Sequence, residues 1–370
     1  MSVSIVSALD IGTTKISCFI AGQEHGSALK VLGMSIKAAS GVEHGRITNT
    51  AVSQVISACV RATERMAEYT INDLVLSIGG VDPVVKRHER VIKLNGEAVS
   101  KDHLDQLTKR SNATLENHVL LHSIHGLVKL DNILIEGSPE GLFGNVLSAQ
   151  ITEIYVKVAP LRNLLNIING CQLQVRDIVL SSYASGFSTM VAQEREMGSL
   201  LIDFGGGLTQ ACLFYGDSII DVATLNIGGK HITADIAKGL STPSQHAERL
   251  KNLFGNVLEH ASSDMSMVDT PYLGEEHAQE MNRIPKGFIA SIIIPRVEEI
   301  LELLKQRFNP SDFMLIQNIV ITGGASQMPG MAQQVQNCFK KPVRLGKPRG
   351  YLGLGDATDG PEFATVTGAL

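Results

Sequence analysis

Two stretches of the chain share one pattern of apolar and polar positions. In the first, the apolar residues 7–9 lead into Asp10, a turn of small residues follows, and apolar residues then resume. In the second, the apolar residues 200–202 lead into Asp203, three glycines follow, and apolar residues resume again. Each pattern predicts a strand, a tight turn and a returning strand. Since the copies stand about half the chain apart, they predict two related halves that face each other.

The residues of these two turns are suited to binding phosphate. Glycines 205–207 have no Cβ, so several backbone N–H groups can approach one anion. In the first turn, Lys15 supplies a positive charge, and the Thr13 and Thr14 hydroxyls supply hydrogen-bond donors. A carboxylate at the end of a buried strand can hold magnesium through water, because this ion keeps most of its hydration shell. Either turn alone could be an ordinary hairpin, but the pair predicts a nucleotide between the two halves.

The first half of the chain is interrupted by a block of different character. Before the block, the apolar spacing predicts a helix over 51–66 and a strand over 74–78. From about residue 81 to 159, a polar helix that Ser100 caps is followed by apolar runs typical of strands. These runs lie at 119–124, 128–135 and 147–158. The block therefore reads as a small α plus β insertion into the first domain.

After the block, the pattern of helices and strands resumes. Pro160 is expected to open a helix that Gly170 ends, and residues 175–180 are expected to form a strand followed by another helix. The helical stretch 232–240 precedes a further helix with Thr242 as N-cap and Pro243 as first residue. An apolar run at 288–294 is expected to stop at Pro295.

A third glycine loop and a charged pair are candidates for binding a nucleoside. The predicted strand 318–322, with an apolar centre at 319–321, runs into Gly323 and Gly324, where a flat ring can lie against bare backbone. A helix over about 329–339 is expected to follow. Glu248 and Lys251 stand three residues apart on one helix, so they share a face. They form either a surface ion pair or, in a nucleotide cleft, a site for ribose and the edge of the base.

Composition excludes several classes of protein. The 370 residues are enough for two domains, and 44% hydrophobic with 19% charged residues is ordinary for a globular chain. The net charge of −5 argues against nucleic acid as a bulk electrostatic partner. Five scattered cysteines are typical of reduced thiols. We expect neither a secretory leader nor a membrane-spanning segment.

The three glycine loops, in this order, resemble the phosphate-one, phosphate-two and adenosine motifs of the actin, DnaK-chaperone and sugar-kinase superfamily. Within it, the sequence resembles the FtsA family of bacterial division proteins at residues 8–15, 41–49, 76–80, 233–237 and 321–326. The resemblance covers nearly the whole chain. It implies an α/β protein with the two-domain actin-like (ribonuclease H-like) ATPase fold and an inserted α+β subdomain of the 1C type.

The resemblance also implies a division into subdomains. Subdomain 1A would comprise residues 1–81 and 160–196, and residues 345–370 would return to it. The 1C-type insertion would be residues 82–159. Subdomain 2A would comprise residues 197–226 and 296–344, and subdomain 2B would be residues 227–295.

The family binds ATP with magnesium between its halves, and its site residues transfer only to matching positions. The phosphates would be contacted from one side by Asp10, Gly12, Thr13, Thr14 and Lys15, and from the other by Asp203, Gly205, Gly206, Gly207 and Thr209. The nucleoside would be surrounded by Gly229, Glu248, Lys251, Gly323 and Gly324. Asp203 and Asp10 would hold magnesium through water.

The same resemblance implies partners and a location. The protein would polymerise with itself as an actin-like protofilament and bind the acidic C-terminal tail of FtsZ through Arg296, supported by Lys286. Other divisome proteins would bind the 82–159 subdomain, and no nucleic acid would bind. Family members reach the inner face of the cytoplasmic membrane through a C-terminal helix that is absent from this chain. We therefore expect a cytoplasmic protein that is peripheral to the membrane at the division site.

Two residues depart from the family pattern and leave alternatives open. Leu208 follows the triple glycine where relatives commonly have a hydroxyl, and Gln210 stands where some have an acid. The sequence therefore predicts slow ATP hydrolysis at most. One alternative is a small-molecule kinase or phosphatase of the same superfamily, with Asp217 or Asp221 as base. Another is a PilM-like pilus assembly protein, which shares the inserted subdomain.

Overall fold

The computed structural model of the protein describes residues 4–24, 28–109, 115–135, 137–274, 281–353, 355 and 358–370. The strands of this part of the chain are β1 (Ser4–Ile11), β2 (Lys15–Gln23), β3 (Leu29–Ala38), β4 (Val42–Glu43), β5 (Arg46–Ile47), β6 (Asp73–Ile78), β7 (Val84–Lys93), β8 (His118–Leu130), β9 (Ile133–Leu134), β10 (Val146–Lys157), β11 (Gln174–Leu180), β12 (Ser199–Phe204), β13 (Thr209–Tyr215), β14 (Ser218–Leu225), β15 (Met267–Thr270), β16 (Asn282–Pro285), β17 (Asn318–Thr322), β18 (Val343–Leu345) and β19 (Tyr351–Leu352).

The α-helices are α1 (Val52–Ala67), α2 (Lys101–Thr108), α3 (Val158–Gly170), α4 (Ser181–Thr189), α5 (Ala192–Met197), α6 (Gly229–Leu240), α7 (Ser244–Phe254), α8 (Lys286–Lys305), α9 (Pro310–Phe313), α10 (Met331–Phe339) and α11 (Ala364–Gly368). Short 3-10 turns lie at Glu259–Ser263, Gly324–Gln327 and Pro361–Phe363. Within the described residues, no helix is both long and apolar enough to cross a lipid bilayer.

The two predicted halves have sheets of equivalent topology. In the first sheet the strand order is β11-β6-β1-β2-β3-β19, and in the second it is β14-β13-β12-β17-β18. In each sheet, the first hairpin is antiparallel and its leading strand, β1 or β12, pairs in parallel with a strand that follows a helix. Asp10 and Asp203 occupy equivalent positions, beside Ser77 and Thr322 respectively. The duplication that the sequence predicted is therefore a duplication of structure.

The block between the two parts of the first domain forms its own small sheet, in the order β7-β10-β8-β9. Helix α2 packs on this sheet over a separate core that includes Leu107, Leu147 and Ile151. Ser100 caps α2 as expected, because its side chain accepts a hydrogen bond from the backbone N–H of His103. The expected α+β insertion is thus present. The continuation of helix α2 that we expect toward Ser111 lies outside the described residues.

The insertion also contacts the second domain. The guanidinium of Arg87, on β7, donates two hydrogen bonds of 3.1 and 3.0 Å to the carboxylate of Asp312, on α9. Asp312 is 5% exposed and Arg87 is 30% exposed at the side chain. Burial raises the pKa of nearby Asp221 to about 6, and the charge of Asp312 raises it further. The insertion therefore contacts the second domain through this largely buried ion pair and through packing of its sheet on β14.

Three local predictions were wrong. The expected strands at 119–124 and 128–135 are mainly one strand, β8, because a register shift against β10 near Gly126 lets the strand continue. Thr242 does not cap a helix: its buried hydroxyl donates to the Pro271 carbonyl, and α7 begins at Ser244 with Pro243 as N-cap. Pro160 does not open its helix, because α3 already begins at Val158. The apolar run 288–294 ends at Pro295, but helix α8 continues through the proline.

Packing explains why α8 tolerates an internal proline. Pro295 removes one backbone hydrogen bond and disfavours the helical conformation of the residue before it. Eight residues of α8 are buried, however, on both sides of the proline, from Gly287 to Leu304. The helix also covers both sides of the boundary expected between residues 295 and 296. That subdomain division stays a prediction.

We expect Arg87→Ala to lower the free energy of unfolding by about 3 kcal/mol, because it leaves the Asp312 carboxylate buried without its partner. The matched control is Arg283→Ala, which breaks an ion pair with Asp269 whose members are 71% and 61% exposed. That change should cost less than about 1 kcal/mol. Urea unfolding of both variants at pH 7.5 measures the difference. Equal losses in the two variants would contradict the assignment of Arg87 as a joint between insertion and second domain.

Candidate functional site

A cleft of about 550 Å³ lies between the two domains. All but one of the candidate residues predicted from the sequence for this site line it. They are Asp10, Gly12, Thr13, Thr14, Lys15, Asp203, Gly205, Gly206, Gly207, Gly229, Glu248, Lys251, Gly323 and Gly324. The exception is Thr209, which is buried and donates a hydrogen bond to the Ile227 carbonyl at 2.8 Å. Because strand residues alternate faces, Gln210 faces the cleft instead.

The two turns have the same backbone geometry and lie against each other. In the first, the N–H of Gly12 donates to the Lys15 carbonyl at 2.9 Å, and in the second the N–H of Gly205 donates to the Leu208 carbonyl at the same distance. A Cβ at Gly206 would overlap the side chain of Thr14, and one at Gly207 would lie 2.6 Å from the Thr13 hydroxyl. Only glycine therefore permits this approach.

The carboxylates of Asp10 and Asp203 meet at the base of the cleft. Burial raises the pKa of Asp10, while hydrogen bonding from Ser77, at 2.5 Å, and the charge of Lys15 oppose the shift. Burial also raises the pKa of Asp203 to about 6, and the charge of Asp10 adds to this. Two buried acids with raised pKa values form a site that a cation would stabilise.

Lys15 provides a buried positive charge between these acids. Its Nζ has no hydrogen-bond acceptor among the described residues and lies 3.5 Å from the centre of the Phe363 ring. Burial lowers its pKa to about 8, against the opposing charges of Asp10, Glu362 and Asp203. An ammonium group in this position has unused donors that face the cleft. It is therefore free to bind an anion.

The far end of the cleft has a polar cluster on α6 and α7. The Glu248 carboxylate accepts hydrogen bonds from Lys251, at 2.6 Å, and from the hydroxyl of Thr233. Burial alone would raise the pKa of Glu248, but these hydrogen bonds outweigh it and hold the pKa below its usual value. Lys251 also donates to the Gly229 carbonyl at 3.2 Å. The pair is thus an ordered part of the cleft wall and not a surface ion pair.

The third glycine loop closes the site from the second domain. Gly323 follows β17 with φ of 86°, a left-handed conformation that favours glycine. A Cβ here would overlap the carboxylate of Asp203 and lie within 2.6 Å of the Phe204 carbonyl. The expected helix after the loop begins at Met331, two residues later than predicted. The loop therefore places bare backbone beside Asp203.

Three side-chain contacts cross the cleft, and two of them involve residues, Lys230 and His44, that the sequence analysis gave no role. Lys230 Nζ donates to the Thr13 carbonyl at 2.9 Å, and His44 Nδ1 lies 3.0 Å from the Gly207 carbonyl. The side-chain amide of Gln210 donates to the Gly79 carbonyl at 3.3 Å. The segment containing His44 was noted only as a family match, and Lys230 follows Gly229, which was a candidate for the nucleoside. Their pairing across domains could not be read from local pattern.

The remaining candidates lie elsewhere. Arg296, on α8, donates two hydrogen bonds to Asp235, at 2.5 and 3.0 Å, and also pairs with Glu299. Lys286, at the start of α8, lies over the ring of Phe254 at 5.1 Å. Asp217 is paired with Arg195, and Asp221 lies near the Arg87 ion pair. Neither aspartate lines the cleft.

We expect Asp203→Asn to stabilise the ligand-free protein at high pH. A carboxylate whose pKa is raised from 3.8 to about 6 on folding contributes stability that is present below about pH 4 and lost as the pH rises through 6. Above pH 7, removing the buried charge should therefore raise the free energy of unfolding by roughly 2 to 3 kcal/mol. Toward pH 4 the gain should disappear.

Thermal or urea unfolding in metal-free buffer at pH 4.5 and 8 measures this gain. Asp217→Asn is the control, because that carboxylate is half exposed and paired with Arg195. A stability gain for Asp203→Asn that is equal at both pH values would disagree with the assigned burial of the charge.

Comparison with known proteins identifies the family. A family model described as "Cell division protein FtsA" matches residues 200–368. Cell division protein FtsA of Rhizobium meliloti (strain 1021) is 32% identical over 383 residues, which cover 99% of this chain and 86% of that protein. The match extends over both domains and the insertion.

Solved structures show the same fold. A chain of the PilM-PilN type IV pilus biogenesis complex has a TM-score of 0.68 and 15% identity, over 98% of this chain and 97% of that chain. MreB5 of Spiroplasma citri bound to ADP has a TM-score of 0.60 and 12% identity, over 98% of this chain and 94% of that chain. These likenesses confirm the two-domain actin-like fold. Together with the sequence match, they establish that this chain belongs to the FtsA family of cell division proteins.

Proposed function

We propose that the cleft binds ATP with magnesium and that the protein acts in cell division as an actin-like scaffold. The observation that supports this most directly is Lys15, a buried ammonium without a hydrogen-bond acceptor among the described residues, between two acids and two glycine turns. A cleft of about 550 Å³ falls in the usual size range of small-molecule sites. In the same fold, MreB5 has been solved bound to ADP and to AMPPNP.

The donor set fits a magnesium triphosphate. The backbone of glycines 205–207 and the hydroxyls of Thr13 and Thr14 supply donors for phosphate oxygens. Asp10 and Asp203 supply hard oxygen ligands, directly or through water, and their raised pKa values show that burial disfavours their charged forms, a cost that a divalent cation would offset. The cation would neutralise phosphate charge. Glu248, Lys251 and the Gly323 loop would surround the nucleoside.

We propose that hydrolysis is slow. The acid that some relatives have at position 210 is an amide here, and its nitrogen donates to Gly79 and Thr224. An amide cannot take a proton from water, so Gln210 can only orient a water molecule. Of the other acids in the cleft wall, Glu248 is bonded to Lys251, and Glu362 accepts from Gln327 at 2.9 Å. We therefore expect the nucleotide to act by binding to the protein, and not through rapid hydrolysis.

The finer roles follow from family membership and stay proposals. We propose that the protein forms filaments with itself and links FtsZ filaments to the inner face of the cytoplasmic membrane. The acidic FtsZ tail would bind near the exposed surface of α8, where Arg296 and Lys286 lie. Residues 82–159 would receive later divisome proteins.

No specific observation favours the alternatives. The two aspartates considered as kinase bases are outside the cleft, and one of them is used in an ion pair. The similarity to PilM is one of fold, at 15% identity. A pull-down that compares peptides from FtsZ and from a pilus partner would distinguish these readings.

We expect Lys15→Ala to weaken binding of magnesium ATP by roughly tenfold to a hundredfold, since a hydrogen bond to a charged group contributes about 1.5 to 3 kcal/mol. Isothermal titration calorimetry measures the affinity. The control is Lys101→Ala, an exposed lysine on α2 in the insertion. Wild-type affinity in Lys15→Ala would refute the assignment of this cleft to the phosphates.

For the FtsZ tail, we expect both Lys286→Ala and Arg296→Ala to weaken binding of a tail peptide. Lys286 has no ion-pair partner among the described residues, whereas Arg296 already pairs with Asp235 and Glu299. An incoming carboxylate must compete for Arg296, so Lys286→Ala should have the larger effect. Fluorescence anisotropy at 50 and 200 mM salt measures both variants. If neither affinity changed, the tail would bind elsewhere.

A further inference from the structure

The carboxylate of Asp203 is bonded to two hydroxyls that were given no role in the site: Ser185, which is buried behind the cleft, and Thr365, which lines it. Its Oδ2 accepts a hydrogen bond from Ser185 Oγ at 2.8 Å and lies 3.3 Å from Thr365 Oγ1. The two hydroxyl oxygens are themselves 2.9 Å apart. Each hydroxyl has one proton to donate, so three oxygens share two protons in one buried cluster. The carboxylate is therefore held on this side by both hydroxyls together.

These hydroxyls belong to two helices, α4 and α11, that pack against each other where the two sheets meet. Ser185 is in α4, which leads from β11 of the first sheet toward β12 of the second. Thr365 is in α11, whose neighbour Val366 packs in a core with Ala8 and Phe19 of the first sheet. Asp203 itself lies on β12 in the second domain. One carboxylate thus bonds to both α4 and α11, which we call the hinge helices.

The hinge helices are also in direct contact with each other. A Cβ at Gly368 would overlap the Ala184 carbonyl, so the backbones touch. Ser188 Oγ donates to the Ala364 carbonyl at 2.6 Å, which joins the helices one turn away from Asp203. Because these elements are in direct contact, we expect a small shift of Asp203 to move both helices.

We propose that Ser185 and Thr365 are positioning residues that hold Asp203 for a divalent cation and, through the same bonds, connect the cation and nucleotide to the hinge helices. This inference rests on the proposed function and deepens it. With the cation in place, Asp203 has charged partners on the cleft side and hydroxyl donors on the hinge side. Filling the site then stiffens α4 and α11. By linkage, whatever orders these helices raises the affinity for the cation and nucleotide by the same factor.

The first test compares affinity for ATP with magnesium and with EDTA. Loss of a hydrogen bond to a charged group is worth roughly tenfold to a hundredfold in affinity. We expect Ser185→Ala and Thr365→Val to weaken binding of magnesium ATP by about tenfold or more, and to change binding in EDTA by less than about twofold. Thr365→Ser, which retains the hydroxyl, should restore the affinity. A general packing defect would instead weaken binding in both conditions.

The matched control is Ser188→Ala. Ser188 is buried on the same helix and also bonds to α11, but it does not touch Asp203. It should keep the magnesium dependence of the wild type. The inference would be wrong if Ser188→Ala lost as much affinity for magnesium ATP as Ser185→Ala. It would also be wrong if Ser185→Ala and Thr365→Val bound magnesium ATP as tightly as the wild type. Should Ser185→Ala fail to fold, the comparison of Thr365→Val with Thr365→Ser decides, because Thr365 is only partly buried.

The second test measures the hinge directly by amide hydrogen exchange. In the wild type, saturating magnesium ATP should slow exchange in α4 and α11 beyond the effect of saturating ATP in EDTA. Thr365→Val, at saturating ligand, should lose this additional protection and Ser188→Ala should keep it. Full additional protection in Thr365→Val would overturn the connection to the hinge. A wild type that binds ATP in neither condition would overturn the proposed function, and this inference with it.

Discussion

The structure depends on the close approach of two glycine turns that end equivalent strands. Thr14 occupies the space where Gly206 lacks a Cβ, and Thr13 does the same at Gly207. The approach brings Asp10 and Asp203 together at the base of the cleft, each with a raised pKa. Charges that are costly to bury are retained here, which is common where a protein binds a charged ligand. The two buried carboxylates thus destabilise the ligand-free protein, and a bound cation would offset this cost.

Contacts around this point join elements that are distant in the chain. The C-terminal segment supplies Phe363 against Lys15 and Thr365 near Asp203. On the other side, Lys230 of the second domain donates to the Thr13 carbonyl in the first turn, and His44 of the first domain contacts the Gly207 carbonyl in the second turn. The two domains therefore meet through polar contacts at the cleft and through a continuous apolar core behind it, in which Leu9 and Phe214 belong to one cluster.

The insertion adds a second connection between the domains. Its sheet is continuous with the first domain through β10 and α3, yet Arg87 pairs with Asp312 of the second. A relative movement of the domains must therefore either break this pair or move the insertion as well.

The sequence by itself determined the duplicated strand and turn motif, the three glycine loops, the insertion and a set of candidate residues of which all but one line the cleft, because these follow from local patterns of apolar residues, glycine and charge. Tertiary structure decided the rest. Thr209 turns away because strand residues alternate and Gln210 takes the inner face. Helix α8 passes through Pro295 because burial outweighs a local cost. The partners of Asp203 at Ser185 and Thr365, and the contact of Lys230 with Thr13, join residues up to 217 positions apart, and no local pattern specifies such pairs.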